Sequence, residues 1–98
     1  MTAWNNCTVD TLYYNEEAAV TNESGYEVKI DDKEIVVSYE DDIGRVEYRG
    51  KNKGTGHFQL ACPERKGEAS LHQFAGSAIL EGYWVESGYR GMWRITLA

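Results

Sequence analysis

The chain has 98 residues, the size of one domain built round one core. Its 10 basic and 16 acidic residues give a net charge of −6, and 42% of its residues are apolar. That composition argues against intrinsic disorder and against broad, non-specific DNA binding. No run approaches the roughly 20 apolar residues that span a bilayer.

The start, Met1-Thr2-Ala3-Trp4-Asn5-Asn6, holds neither a basic nor an apolar stretch and does not read as a signal peptide. The expectation is therefore a cytoplasmic protein whose Cys7 and Cys62 are reduced thiols, buried as small hydrophobes. They form no CxxC, and their spacing predicts no zinc site.

In chain order, Cys7–Tyr14 is a candidate first strand. Asn15-Glu16-Glu17-Ala18-Ala19-Val20 is the one helix-friendly stretch. Asn15 can cap it and the two glutamates suit a helix N-terminus, so a short helix of one or two turns is expected near residues 15–20. From Tyr26 onward, alternation with a period of two takes over. Tyr26, Val28 and Ile30 share a face, as do Ile35, Val37 and Tyr39 after the Asp31-Asp32 turn. Val46 and Tyr48 follow the turn at Asp41–Gly44. Gly50–Gly54 reads as the next turn, with Gly50, Gly54 and Gly56 as turn glycines. Phe58, Leu60 and Cys62 then alternate up to Pro63, which ends the strand because it has no N–H to give a ladder. Ala69 and Leu71 open a further strand, Phe74–Ser77 breaks it, Ile79–Val85 is longer and more apolar, and Met92–Leu97 closes the chain.

Seven strands start from Tyr26, or eight with Cys7–Tyr14, and nearly all connections are of hairpin length. Sequential hairpins make an antiparallel meander, and a twisted meander of this length closes to remove its edges. The expected fold is all-β, a small up-and-down antiparallel barrel filling residues 1–98 as one domain. An open, strongly bent sheet is the alternative.

The last third carries the clearest rhythm: Gly54-Thr55-Gly56-His57-Phe58-Gln59-Leu60, Gly67-Glu68-Ala69-Ser70-Leu71, Leu80-Glu81-Gly82-Tyr83-Trp84 and Gly91-Met92-Trp93-Arg94-Ile95. Glycine followed by alternating apolar residues, with a late Gly-x-Trp, resembles the small meander barrels of the calycin type, among them lipocalins, fatty-acid-binding proteins and avidins. It is also similar to the compact barrels that bind cyclic nucleotides in bacterial antiphage signalling. The resemblance spans roughly Tyr26 to Ala98, and it implies binding of a small molecule or a partner. It transfers no binding residue. Lipocalins usually place their Gly-x-Trp on the first strand, and here it lies on the last.

Charge is segregated. Residues 1–42 hold eleven acids and two lysines, and residues 43–98 hold five acids and eight bases. All five arginines, Arg45, Arg49, Arg65, Arg90 and Arg94, lie in the second part. The bland expectation is cross-strand pairing on the surface. The sharper one is an anion site, because guanidinium groups hold carboxylate or phosphate bidentately. Arg94 and Glu81 sit mid-strand on neighbouring segments and are expected opposite one another, either as an outer ion pair or as a polar pair that orients a ligand inside. His57 and Gln59 share the face opposite Phe58 and Leu60, with His72 on the next strand. Tyr39, Tyr48, Phe58 and Trp84 or Trp93 are the aromatics expected inward, whereas Tyr13, Tyr14, Tyr83 and Tyr89 are candidates for exposure.

The candidate ligand-binding set is thus Tyr39, Tyr48, His57, Gln59, Glu81, Trp93 and Arg94. The expected function is a non-catalytic module that binds a small ligand, with anions among the candidates, in or at the mouth of the barrel. A protein-interaction or assembly module, including a homodimer, is the alternative. No nucleophile elbow, triad, phosphate-cradling loop or metal-ligand spacing points to catalysis, a cofactor or a metal. Neither nucleic acid nor membrane is an expected partner.

Overall fold

A computed structural model of the chain describes residues 2–14 and 20–98. Eight strands follow one another: β1 (Thr2–Tyr13), β2 (Val20–Ile30), β3 (Glu34–Asp41), β4 (Gly44–Asn52), β5 (His57–Cys62), β6 (Gly67–His72), β7 (Ile79–Glu86) and β8 (Tyr89–Thr96). A 3₁₀ turn at Pro63–Arg65 joins β5 to β6. The short helix predicted near residues 15–20 falls on 15–19, outside the described residues, and Val20 already belongs to β2.

The strands pair in sequence order and close, with β1 hydrogen-bonded to both β2 and β8 in antiparallel register. This is the up-and-down barrel that the alternation predicts. Among the described residues no helix is long and apolar enough to cross a membrane.

The inward sets read from the alternation form the core, with Ile30 and Tyr39 half-buried at its edge, while on β3 the opposite face, Val36 and Ser38, is buried as well. Val28, Ile35, Val37, Tyr48, Leu71, Leu80 and Ile95 are fully buried, and Tyr26, Phe58, Leu60, Cys62 and Ala69 join them in one cluster. Branched aliphatics and one tyrosine fill the middle of the barrel. An eight-stranded barrel is just wide enough for that. Trp84 and Trp93 both point inward, so the predicted choice between them resolves to the pair. Cys7 and Cys62 are free and buried.

Narrow closure depends on glycine. At Gly82 a Cβ would stand 1.6 Å from the Ser70 carbonyl oxygen, and the same clash recurs at Gly91 against Leu12 and at Gly50 against Gln59. At these bends the neighbouring backbone occupies the side-chain position, as at barrel corners. Gly50 is therefore a strand residue facing β5 and not a turn glycine, because β4 runs on to Asn52. Gly54 and Gly56, at φ +83° and +77°, do form the turn. The Ser87-Gly88 pair, both at positive φ, links β7 to β8, and so continues a ladder predicted to break between Glu86 and Gly91.

Candidate functional site

Among the described residues, side chains fill the middle of the barrel and a cavity lies at one end. There Thr11 and Tyr13 of β1, Glu23 and Tyr26 of β2, Tyr39 and Asp41 of β3, Trp84 and Glu86 of β7 and Trp93 of β8 surround a cavity of about 200 Å³. That volume is below the roughly 300 Å³ at which drug-sized pockets begin. Most of these positions continue the inward phase of their strands. Tyr39 and Asp41 extend Ile35 and Val37, and Trp84 and Glu86 extend Leu80 and Gly82.

Glu23 arrives differently. The register of β1 and β2 shifts on either side of Cys7, and Gly25 takes φ +79°. This irregularity reverses the alternation, so Glu23 and Tyr26, an odd number of residues apart, both face the cavity. Tyr13, expected on the surface, instead packs edge-on against Trp84 with ring centroids 5.1 Å apart. Tyr14, Tyr83 and Tyr89 are exposed as expected.

The aromatic wall is ordered. Tyr26 and Tyr39 stack at 4.5 Å, Tyr48 meets Trp93 edge-on at 5.1 Å, and Trp84 and Trp93 lie 6.4 Å apart. Such pairs add about 0.5–1.5 kcal/mol each beyond their buried area. Tyr48 runs up from the core and its hydroxyl donates to Glu86 Oε1 in a short hydrogen bond. Gly67 makes this possible, since a Cβ there would lie 2.3 Å from that hydroxyl. Tyr26 donates to Glu23 Oε2 at 3.3 Å. Burial raises the phenol pKa values of Tyr26, Tyr39 and Tyr48 well above the ordinary tyrosine range. The neighbouring carboxylates raise them further, Glu23 at Tyr26 and Glu86 at Tyr39 and Tyr48.

Asp41 is held by Arg65, whose Nη1 and Nη2 donate to its two oxygens at 2.7 and 3.1 Å. Its Oδ1 also accepts the backbone N–H groups of Ile43 and Gly44. The guanidinium first, and then these amides, bring its pKa down to about 2. Trp84 Nε1 is buried without a hydrogen-bond partner.

The remaining predicted site residues lie on the outer wall. The register strings them into one polar row: His57 opposite His72, His72 opposite Glu81, Glu81 opposite Arg94, Arg94 opposite Asp10, and Asp10 opposite Asn22. The imidazoles of His57 and His72 stack with centroids 4.9 Å apart, and His57 Nε2 is 3.4 Å from Ser70 Oγ. Gln59, on the same strand, reaches the Ala69 carbonyl at 3.5 Å. Glu81 and Arg94 do face one another as predicted, but outside, and the ion pairs among the described residues do not include them. The structure thus brings Tyr39, Tyr48 and Trp93 together at the mouth and keeps His57, Gln59, Glu81 and Arg94 away from it.

Charge segregation resolves largely as surface pairing. Arg45 reaches over Ser38 at 3.0 Å to Glu27 at 3.3 Å, and with the Arg65–Asp41 pair it ties the basic second part to the acidic first.

Fold and cavity together define a closed meander barrel with a filled core and one aromatic, acid-rimmed mouth. No family model, no curated protein and no solved structure matches this chain significantly, so its likeness to calycins is one of barrel architecture.

Proposed function

We propose that the protein is a non-catalytic binding module that takes a small molecule at the open end of the barrel. The observation that carries this reading is the convergence of Tyr13, Tyr26, Tyr39, Trp84 and Trp93 with Glu23, Asp41 and Glu86 on one cavity, at one end of an otherwise filled interior. Apolar walls with a few placed polar groups are the usual composition of a ligand site. A cavity of about 200 Å³ suits a ligand of few heavy atoms.

The test is a fragment screen read by the indole N–H resonances of Trp84 and Trp93, preceded by native mass spectrometry of the freshly purified protein. A co-purified adduct, or fragments that shift those two indoles, supports the mouth as the site. Fragments that bind only on the outer wall refute it.

A second reading, a homodimer with no small ligand, has one specific observation behind it. Phe74 is 89% exposed, beside Ile79, Tyr83 and Met92 on an outer groove of about 640 Å³. Glu81 on that face and Arg94 opposite it are of opposite sign and form no ion pair among the described residues. A two-fold contact would set each against the other in the second copy. A concentration-dependent dimer in sedimentation, lost in Phe74→Ser, would favour this reading. A monomer at every concentration would remove it.

A further inference from the structure

We propose that the ligand taken at the mouth is a small organic cation, an ammonium group carried on an apolar or aromatic body. This deepens the reading of the mouth as the binding site and rests on it. Three carboxylates line the cavity, and one guanidinium stands beside them. That guanidinium is committed. Arg65 makes two bonds to Asp41, whose oxygens also take two backbone amides, so Asp41 is saturated and neutralised.

Glu23 and Glu86 are not. Each accepts a single tyrosine hydroxyl, from Tyr26 and Tyr48 respectively. A carboxylate offers about four acceptor sites, so most of each remains free. A neutral phenol satisfies geometry but leaves the negative charge in place; Glu86 also feels the Arg65 guanidinium without bonding to it, and Glu23 has no such neighbour among the described residues. Among the described residues no lysine, arginine or histidine forms an ion pair with either glutamate. Of the arginines that suggested an anion in the sequence, Arg65 is bonded to Asp41, and Arg90 lies on β8 opposite Val85, beside the hairpin that carries Glu86. Arg45 and Arg49 pair with Glu47 on the outer wall, and Arg94 stands in the outer polar row.

The walls agree with this sign. Tyr26, Tyr39, Trp84 and Trp93 present electron-rich rings, which attract cations and repel anions. The same field holds the buried phenols of Tyr26, Tyr39 and Tyr48 in their neutral form, because a phenolate there would stand against Glu23 or Glu86. A bare divalent metal is a poorer occupant. Among the described residues no three carboxylate, imidazole or thiol groups converge as metal ligands, and a hard cation asks for about six oxygens. An ammonium asks only for one or two carboxylates and aromatic faces.

Four probes that share a benzyl group and carry a cation, no charge or an anion test the assignment: benzylammonium, benzyltrimethylammonium, benzyl alcohol and phenylacetate. Each is titrated at neutral pH and low salt against the full chain and against Glu23→Gln, Glu86→Gln and the double variant, with the Trp84 and Trp93 indole resonances as readout. Glutamine keeps an acceptor for the tyrosine hydroxyls, and Glu23 is exposed, so Glu23→Gln remains informative if Glu86→Gln folds poorly. The expected result is saturable shifts with both ammonium probes, none with phenylacetate, and an affinity for the cations about tenfold lower in the double variant. If phenylacetate or benzyl alcohol binds at the mouth as tightly as the ammonium probes, or if the variants leave ammonium affinity unchanged, the cation assignment falls and the mouth site stands. If no probe moves either indole and no native adduct is found, the mouth reading falls with it.

Discussion

Tyr26, Tyr39 and Tyr48 are held as neutral phenols inside the barrel, and alkali gives a direct measure of how firmly. An unfolded tyrosine ionises near pH 10. In the folded chain burial first, and the mouth carboxylates second, push all three well above that value. A raised folded pKa means that stability is fully present below pH 10. Above pH 10 the unfolded chain sheds protons that the folded chain retains, so stability falls as pH rises towards the folded values. Each such group contributes a slope of about 1.4 kcal/mol per pH unit, and three together about 4 kcal/mol per unit. A domain of this size holds about 5–15 kcal/mol in total. The barrel should therefore unfold cooperatively between roughly pH 11 and 13. The phenolate absorbance of these three tyrosines should appear only together with the loss of the far-ultraviolet circular dichroism signal, as a late step after that of the exposed tyrosines, and Tyr39→Phe should reduce the slope by about a third. A gradual titration of every tyrosine near pH 10, with the β-sheet signal intact, would refute the claim that these three phenols are shielded.

Four further outcomes follow from the same geometry. Gly82→Ala places a Cβ 1.6 Å from the Ser70 carbonyl oxygen and should cost more than about 3 kcal/mol in thermal denaturation or abolish folding. Gly54→Ala, in open space at φ +83°, should cost only about 1–2 kcal/mol. Asp41→Asn breaks the Arg65 pair. The stability it removes at pH 7 should shrink as pH falls from about 4 towards 2, because the wild-type carboxylate itself becomes protonated there; a constant difference in Tm across that window would contradict the assignment. Glu81→Ala and Arg94→Ala should each lie within about 0.5 kcal/mol of the wild type in urea denaturation, since the two face each other on the surface without pairing.

The barrel was legible in the sequence because its alternation is nearly unbroken from Tyr26 to Leu97. Half-buried strands in a meander must alternate, and register then decides every inward residue. Tyr39, Tyr48 and Trp93 follow from that phase alone. The other four residues of the candidate set lie on the outer wall, the face that the same phase gives His57 and Gln59 and one of the two places expected for Glu81 and Arg94. His57, Gln59, Glu81 and Arg94 are out of phase with the core, and a polar side chain out of phase is on the outer wall. Two mouth residues were hidden in what read as turns. Asp41 and Glu86 each sit one step beyond the last apolar inward residue, where a two-residue hairpin lets the ladder run further than composition suggests. Glu23 had one signal, Gly25, whose positive φ accompanies the reversal of phase in β2. A lone glycine inside an alternating run marks a bulge as readily as a turn.

Where specificity can reside is set by how the barrel closes. Gly50, Gly82 and Gly91 let neighbouring strands approach so tightly that, among the described residues, side chains fill the middle of the barrel. Chemistry is left to the ends and the outer wall. At the open end Glu86 is the better anchored of the two unpaired carboxylates. Its partner Tyr48 is fully buried and wedged between Gly67 and Trp93, so the position of the carboxylate is fixed by the core itself. Glu23 sits beside a backbone irregularity, is exposed, and takes a longer bond from Tyr26. A group fixed before binding loses little freedom when a ligand arrives, whereas a mobile one must be ordered at that moment. On the proposal of a cation at the mouth, Glu86→Gln should therefore weaken ammonium binding more than Glu23→Gln. The reverse order would place the charge that matters on the rim and not on the core.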